Sequence, residues 1–213
     1  MEEQRVLETV LEASKPPVPP DCRHLHYLLS TPFRYGAPYP SGSRFRRAGF
    51  TPGVFYASAT PSTAVAEAVF HRLLFFADSP ATPWPQNPGE HTVFSARFRT
   101  AAALDLLRPP LSGDRGQWEH LSEYSACQQL AEGAREAGIE IVKYGSARVP
   151  GINYAALVCR AFASPQPIDR QTWRIHLGPG GARAVCGFPE SRLAFDRHAF
   201  AADRRIAALA WER

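Results

Sequence analysis

Lysine is nearly missing from this chain of 213 residues: Lys15 and Lys143 are the only two. The formal charge of +4 therefore rests on arginine, whose planar fork of N–H groups suits phosphate and carboxylate better than a lysine point charge. The arginines are spread along the chain, and no known nucleic-acid motif organises them. Compositional bias is the plainer reading for most of them; a basic, non-enzymatic module that contacts nucleic acid is the alternative. No apolar run approaches the roughly 20 residues of a membrane span, so no membrane partner is expected. Cysteine pairs at metal-binding spacing are lacking too. Cys22, Cys127, Cys159 and Cys186 lie far apart with no C-x-x-C. Buried free thiols are the expected state, with a disulfide or metal site as the alternative. His24 and His26 form an H-x-H pair without a second pair at zinc spacing, so no metal is expected. The opening MEEQRVLETVLEASK has neither the basic start nor the continuous apolar stretch of a secretory leader. It reads as an amphipathic helix with Leu7, Val10 and Leu11 on one face, and the expected location is the cytoplasm.

Proline, by contrast, is abundant, with 20 residues, and it punctuates the chain. Residues 15–22 form a break, 30–53 a long loop rich in Pro, Gly, Ser and Arg, and 79–90 a segment that four prolines bar from helix or interior strand. Between these lie a strand at 53–58 and a helix from Thr60, a good N-cap followed by Pro61, to about Asp78. Strands are expected at 91–98 and 103–107, a loop at 108–118, and a helix at 122–137 that ends at Gly138. Further strands are expected at 139–144, 154–162, 172–177, 183–187 and 192–196, with a hairpin turn at 178–182 and a short helix at 198–210. Many short strands with a few helices, no repeat and no internal boundary indicate a single α+β domain.

One segment concentrates the chemistry: RFRRAGFTPGVFYASATPSTAVAEAVF. Arg44, Arg46 and Arg47 precede a strand ending near Tyr56, and Glu67 is embedded in a helix apolar on nearly every side. A helix of that kind is buried, and a buried carboxylate is costly unless it has a partner. The competing reading puts Glu67 on one wet face near the helix N-terminus. Arg34 and Arg44 sit in or beside a flexible loop suited to holding a pyrophosphate; the competing reading is a solvated surface arginine, and it is the stronger one for Arg46 and Arg47. Tyr56 suits stacking on a ring or bonding a ribose, or else it is a core tyrosine with its hydroxyl at the rim. Ser146, in YGSARVPGINYAAL, and Asn153, which opens the next strand, are turn residues when taken alone.

Taken together, these residues resemble the RES-domain family, toxins of bacterial toxin–antitoxin modules that consume NAD. The shared pattern is an arginine before the first loop, a second arginine followed by an aromatic, a tyrosine at a strand end, a glutamate eleven residues later, and a serine-containing turn before a late strand. Here these are Arg34, Arg44 with Phe45, Tyr56, Glu67 and Ser146. The interval from Arg44 to Tyr56 is longer than in the pattern by about two residues, the offset from Arg44 to Arg46, so Arg46 competes for that role. The resemblance implies a fold similar to ADP-ribosyltransferase toxins, a split antiparallel-rich sheet with flanking helices. It also implies a division into an N-terminal helix and linker (1–24), an NAD-binding core (25–165) and a C-terminal extension (166–213). Glu67, Tyr56 and Arg44 would be catalytic; Arg34, Arg44, Arg46, Tyr56, Ser146 and Asn153 would bind NAD, a consumed substrate, with no metal. The insert at 79–90 and the tail after 165 look like the larger ParT-type branch. That branch implies a protein substrate, with phosphoribosyl pyrophosphate synthetase as the target, and a cognate antitoxin as partner. Other members of the family imply an NAD phosphorylase or glycohydrolase instead.

Overall fold

The computed structural model describes residues 6–7, 10, 14–36, 42–49 and 51–213. The helix expected over the opening residues falls largely outside them. The described chain forms two four-stranded sheets with helices between and around them, the α+β arrangement expected from the sequence. The first sheet has the order β1 (Phe55–Ser58), β5 (Ile152–Ala156), β4 (Ile141–Gly145), β3 (Ala103–Asp105). It is antiparallel apart from the parallel pair of β3 and β4. The second has the order β2 (Gly89–Phe94), β6 (Arg170–Gly178), β7 (Gly181–Cys186), β8 (Ser191–Phe195), and all its pairs are antiparallel. The chain beyond residue 165 thus supplies three of the second sheet's four strands. The turn between β6 and β7 is Pro179 and Gly180, within the expected hairpin.

Helix α1 (Tyr27–Arg34) covers one face of the first sheet, and Leu29 and Phe33 pack there with Phe55, Ile141 and Ala156. The opposite face carries α4 (Ser125–Glu136), which buries Cys127, Ala131 and Ala134 against Val142, Tyr144 and Ala155. Helix α2 (Pro61–Asp78) begins as the sequence predicts: Thr60 is the N-cap, its side-chain oxygen accepts from the Thr63 N–H at 3.2 Å, and Pro61 follows. Its residues Val65, Val69, Phe70, Leu73 and Phe76 bury against Trp173, Ile175, Leu177, Ala182 and Ala184 of the second sheet. Five such side chains removed from water contribute on the order of 10 kcal/mol before the cost of ordering the chain is counted. Two short helices complete the fold, α3 (Arg115–Trp118) and α5 (Arg204–Ala207).

Several expectations need correction. Residues 30–34, expected to open the loop rich in Pro, Gly, Ser and Arg, are helical, since burial of Leu29 and Phe33 outweighs the N–H that Pro32 lacks. The loop expected at 108–118 contains a 3-10 turn (Leu111–Asp114) and α3, with Trp118 buried and its indole N–H donating to the Leu111 carbonyl at 2.7 Å. The strand expected at 154–162 stops at Ala156. Leu157 belongs to the core under α4, whereas Cys159 and Ala161 belong to the core under α1, so the chain must turn between them. The terminal helix covers only Arg204–Ala207 of the expected 198–210. Cys22 and Cys159, expected as free thiols, are joined in a disulfide that ties two 3-10 turns together, at a sequence separation of 137 and with Cα atoms 5.4 Å apart. So long a separation leaves no spacing signal. Cys127 and Cys186 are buried and free.

Candidate functional site

Glu67 lies on α2, where Ala64, Glu67, Ala68, His71 and Leu74 recur every three or four residues and so form one stripe. That stripe borders a cavity of about 580 Å³, while the opposite stripe packs on the second sheet. This accounts for much of a helix apolar on nearly all sides with a single acid: one face is buried on the second sheet and the stripe with Glu67 borders the cavity, while Phe75 is left 56% exposed.

The far wall of the cavity comes from the first sheet. Register places Ser58, Asn153 and Tyr144 in one row across β1, β5 and β4, so their side chains share a face. The loop between β4 and β5 lies near the start of α2. At Gly151 a side-chain carbon would come within 2.5 Å of the Thr63 hydroxyl oxygen, so glycine permits that close approach. Two donors from this wall converge on one oxygen of Glu67. The Ser146 hydroxyl donates to Oε1 at 2.7 Å, and the Asn153 side-chain amide donates to the same atom at 2.8 Å. Both donors are themselves held. Ser146 Oγ accepts from the N–H groups of Arg148 and Val149, at 3.2 and 3.3 Å, and Asn153 Oδ1 accepts from the Ser58 hydroxyl at 2.7 Å. Ser146 and Asn153 are thus not mere turn residues: together they orient the carboxylate from across the cavity, and among the described residues no protein group donates to its second oxygen.

Tyr56 also borders the cavity. The residue is 38% exposed, and its hydroxyl is bonded to the Ser43 hydroxyl at 2.8 Å and accepts from the Phe45 N–H at 2.9 Å. Burial of the hydroxyl pushes the Tyr56 pKa up, and those two bonds and the nearby Arg44 and Arg46 oppose the shift. Tyr56 therefore presents its ring and keeps its hydroxyl for the loop.

The arginine cluster is built into the scaffold. Arg44 is 6% exposed, and its guanidinium donates to the carbonyls of Trp118 (2.6 Å) and His120 (2.9 Å) while lying 4.7 Å from the Tyr124 ring centre. It also lines the Glu67 cavity. Arg46, a cofactor-binding candidate whose competing reading is a solvated residue, is buried and donates to the Gly36 carbonyl; it lines a smaller adjoining cavity of about 300 Å³ that shares Gly42, Ser43 and Tyr56 with the first. Arg47 pairs with Glu132 at 2.5 Å. Arg34 ends α1, half-buried, away from the Glu67 cavity.

Four residues absent from the sequence-derived constellation line the same cavity: His71, Tyr124, Arg148 and Arg205. His71 lies one turn beyond Glu67, a spacing that could have marked it. Desolvation at the cavity wall lowers its pKa, Arg148 and Arg205 lower it further and Glu67 opposes them, but the residue as a whole is exposed, so solvent screening keeps the shift small. Arg205 is matched by Asp203, with bonds of 2.7 and 2.9 Å. Arg148 and Tyr124 come from loops distant in sequence, so no local pattern announces them. Among the described residues, one group has metal-ligand chemistry within 4.8 Å, Asp21 with Cys22 and Cys159, but its two sulfurs are bonded to each other.

A second cleft, of about 1040 Å³, is bounded by residues of both sheets and touches the first along Tyr56, Ala57, Ser58, Ala64 and Ala68. Among the described residues, no helix is long and apolar enough to cross a membrane.

The site therefore offers one oriented carboxylate, an aromatic face and several cations around a cavity large enough for part of a dinucleotide. A comparison with curated proteins finds no match. The family model described as RES domain matches residues 18–178, a span that includes Arg34, Arg44, Tyr56, Glu67, Ser146 and Asn153. RES domains are associated with NAD-acting toxins that pair with antitoxins, and this chain belongs to the RES-domain family.

Proposed function

We propose that this chain cleaves the glycosidic bond of NAD at the Glu67 cavity and transfers ADP-ribose to a protein. The observation that carries the reading is the convergence of Ser146 and Asn153 on one oxygen of Glu67 inside a cavity also lined by Tyr56 and Arg44. In the reaction, the bond between ribose C1 and the nicotinamide nitrogen breaks, and its electron pair leaves with neutral nicotinamide. The ribose develops oxocarbenium character until a nucleophile bonds to C1. Such a reaction needs little acid catalysis; it needs positioning and a fixed negative charge beside the developing cation. Glu67 supplies that charge, with Ser146 and Asn153 holding Oε1 so that the second oxygen meets the ribose hydroxyls. The exposed ring of Tyr56 orients nicotinamide. Arg44, with Arg46 on the same loop, serves the adenosine-side phosphate, and Arg34, at the end of α1 outside the cavity lining, takes part only if the dinucleotide extends beyond the cavity.

A protein acceptor is supported by the larger cleft, which adjoins the Glu67 cavity and is walled in part by β2, directly after the proline-rich insert at 79–90. Stiff proline-rich segments can present a docking surface at low entropic cost. In this reading, residues 25–165 carry NAD, and the insert and the 166–213 extension serve the protein substrate, as in the ParT-type branch whose target is phosphoribosyl pyrophosphate synthetase. The activity is placed in the cytoplasm, where Cys22 and Cys159 would be held as thiols. A cognate antitoxin would act by filling the arginine-lined cavity with an acidic or carboxylate-terminated segment, in competition with NAD.

The test is incubation of the protein and a cell lysate with labelled NAD, followed by mass spectrometry of proteins and small molecules. A single labelled protein, independent of added phosphate, supports the transferase. Label confined to small molecules, with NAD loss scaling with phosphate, replaces it with a phosphorylase; scaling with neither leaves a glycohydrolase.

A further inference from the structure

The cations around the Glu67 cavity are not equivalent. Arg44 has committed N–H groups to the carbonyls of Trp118 and His120, and Arg205 is neutralised by Asp203. Arg148 differs from both. Its Nη2 donates to the Leu121 carbonyl at 3.0 Å and to the Tyr124 hydroxyl at 3.1 Å, and its guanidinium lies 4.2 Å from the Phe70 ring centre. These contacts fix the plane of the group. Its Nε is buried without a hydrogen-bond partner, and among the described residues no carboxylate stands within ion-pair distance of it. Asp203, already bonded to Arg205, is close enough for its charge to be felt at Arg148 but makes no direct pair with it. A guanidinium that is oriented, partly desolvated and without a direct ion-pair partner costs stability, and an arriving anion repays that cost. Its backbone also reaches the catalytic apparatus, since the Arg148 N–H donates to the Ser146 hydroxyl that holds Glu67. The cavity thus carries a fixed anion, Glu67, and a fixed cation, Arg148, from two walls, and no ion pair joins them.

We propose that Arg148 is the phosphate-binding residue of this cavity, taking a phosphoryl oxyanion while Glu67 faces the ribose. The inference rests on the NAD reading for its favoured occupant, the phosphate on the nicotinamide side of the dinucleotide. A molecule with a cationic ring, a ribose and a phosphate in series offers one group to each of Tyr56, Glu67 and Arg148, which line the same cavity. A separate phosphate delivered to ribose C1 would use the same chemistry. The planar fork explains arginine at this position, since lysine would keep the charge without the second N–H.

The experiment measures binding of nicotinamide riboside, nicotinamide mononucleotide and inorganic phosphate to the protein and to Arg148→Gln and Arg148→Lys, with the melting temperature of each variant recorded. The two nicotinamide compounds differ only by the phosphate. The protein should bind the mononucleotide at least about 10-fold more tightly than the riboside, Arg148→Gln should lose that preference, and Arg148→Lys should retain part of it. If Arg148→Gln does not fold, a Lys variant with the full preference would overturn the fork argument. Saturable binding of inorganic phosphate that Arg148→Gln abolishes, with mononucleotide and riboside bound equally, keeps the subsite and makes a separate phosphate its occupant. A preference unchanged in Arg148→Gln, or no preference and no phosphate binding in the protein itself, overturns the proposal. Phosphate binding through Arg148 without nicotinamide release from NAD would overturn the NAD reading and leave the subsite standing.

Discussion

Replacing Ser146 with alanine removes the donor nearest to Glu67 and leaves the rest of the carboxylate's surroundings in place. The hydroxyl donates to Oε1 at 2.7 Å and accepts from two backbone N–H groups, so the substitution has two consequences. A hydrogen bond to a charged group is worth roughly 1.5–3 kcal/mol, which corresponds to about 10- to 150-fold in rate if the whole of it is expressed in the transition state. Asn153 still donates to the same oxygen at 2.8 Å, so the carboxylate keeps one anchor and the lower end, about 10-fold in kcat, is expected. The two N–H groups lose their acceptor, at roughly 1 kcal/mol or more, which lowers Tm by a few degrees, at about 2–4 °C per kcal/mol for a chain of this size. The assay is steady-state nicotinamide release from NAD, with a thermal melt of the same preparations. Asn153→Ala and the double variant complete a cycle. Because both side chains hold one atom, the double variant should deviate from additivity by at least about 0.5 kcal/mol. A Ser146→Ala enzyme with unchanged kcat, or a strictly additive double variant, would refute the idea that the pair orients Glu67.

Other perturbations probe separate parts of the account. Arg44→Ala should raise the NAD dissociation constant and also lower Tm, because the Trp118 and His120 carbonyls lose their donors; if Arg46→Ala weakens NAD binding and Arg44→Ala does not, the two arginines exchange roles. His71 has a folded pKa below its ordinary 6.5, so it costs no stability above that value. As pH falls below 6.5 the unfolded chain takes up the proton first, and stability declines until the folded-state value is passed. Chemical denaturation of His71→Gln against pH should show a shallower acid decline, and an identical profile would remove His71 from the explanation. Cys22→Ser opens the 137-residue link to Cys159 and should lower stability in oxidising buffer by roughly 2–4 kcal/mol. In reducing buffer the variant and parent should melt together, and a persistent gap would mean that packing rather than the bond is responsible.

Much of the fold was legible because local signals and burial agree. Thr60, Pro61 and the apolar run to Asp78 specify α2, and the hairpin glycines specify the turn between β6 and β7. Where the chain serves two cores, local signals fail. Residues 154–162 look like one long apolar strand, yet Leu157 and Cys159 belong to opposite faces of the first sheet, and only tertiary packing decides where the strand stops. The site divides in the same way. Tyr56 and Glu67 sit on adjacent elements, and their spacing is visible in the sequence. Ser146 and Asn153 are ordinary turn residues until the register of β1, β5 and β4 sets them across from α2. Arg44 looked like a free cation, but it is tied to carbonyls 74 and 76 residues away, a distance that no window reads. Arg148 carries no local signal for the complementary reason: what marks it is that, among the described residues, no carboxylate pairs directly with it, and that is apparent only in three dimensions.

The central claim is that Glu67 stabilises the cation formed as NAD loses nicotinamide. Its most direct test is the rate of nicotinamide release by the purified protein and by Glu67→Gln, which keeps the size and polarity of the side chain and removes only its charge. The account predicts measurable release by the parent and a fall of at least about 100-fold in the variant, the scale for loss of one transition-state-stabilising group. Equal rates in the two proteins would contradict it.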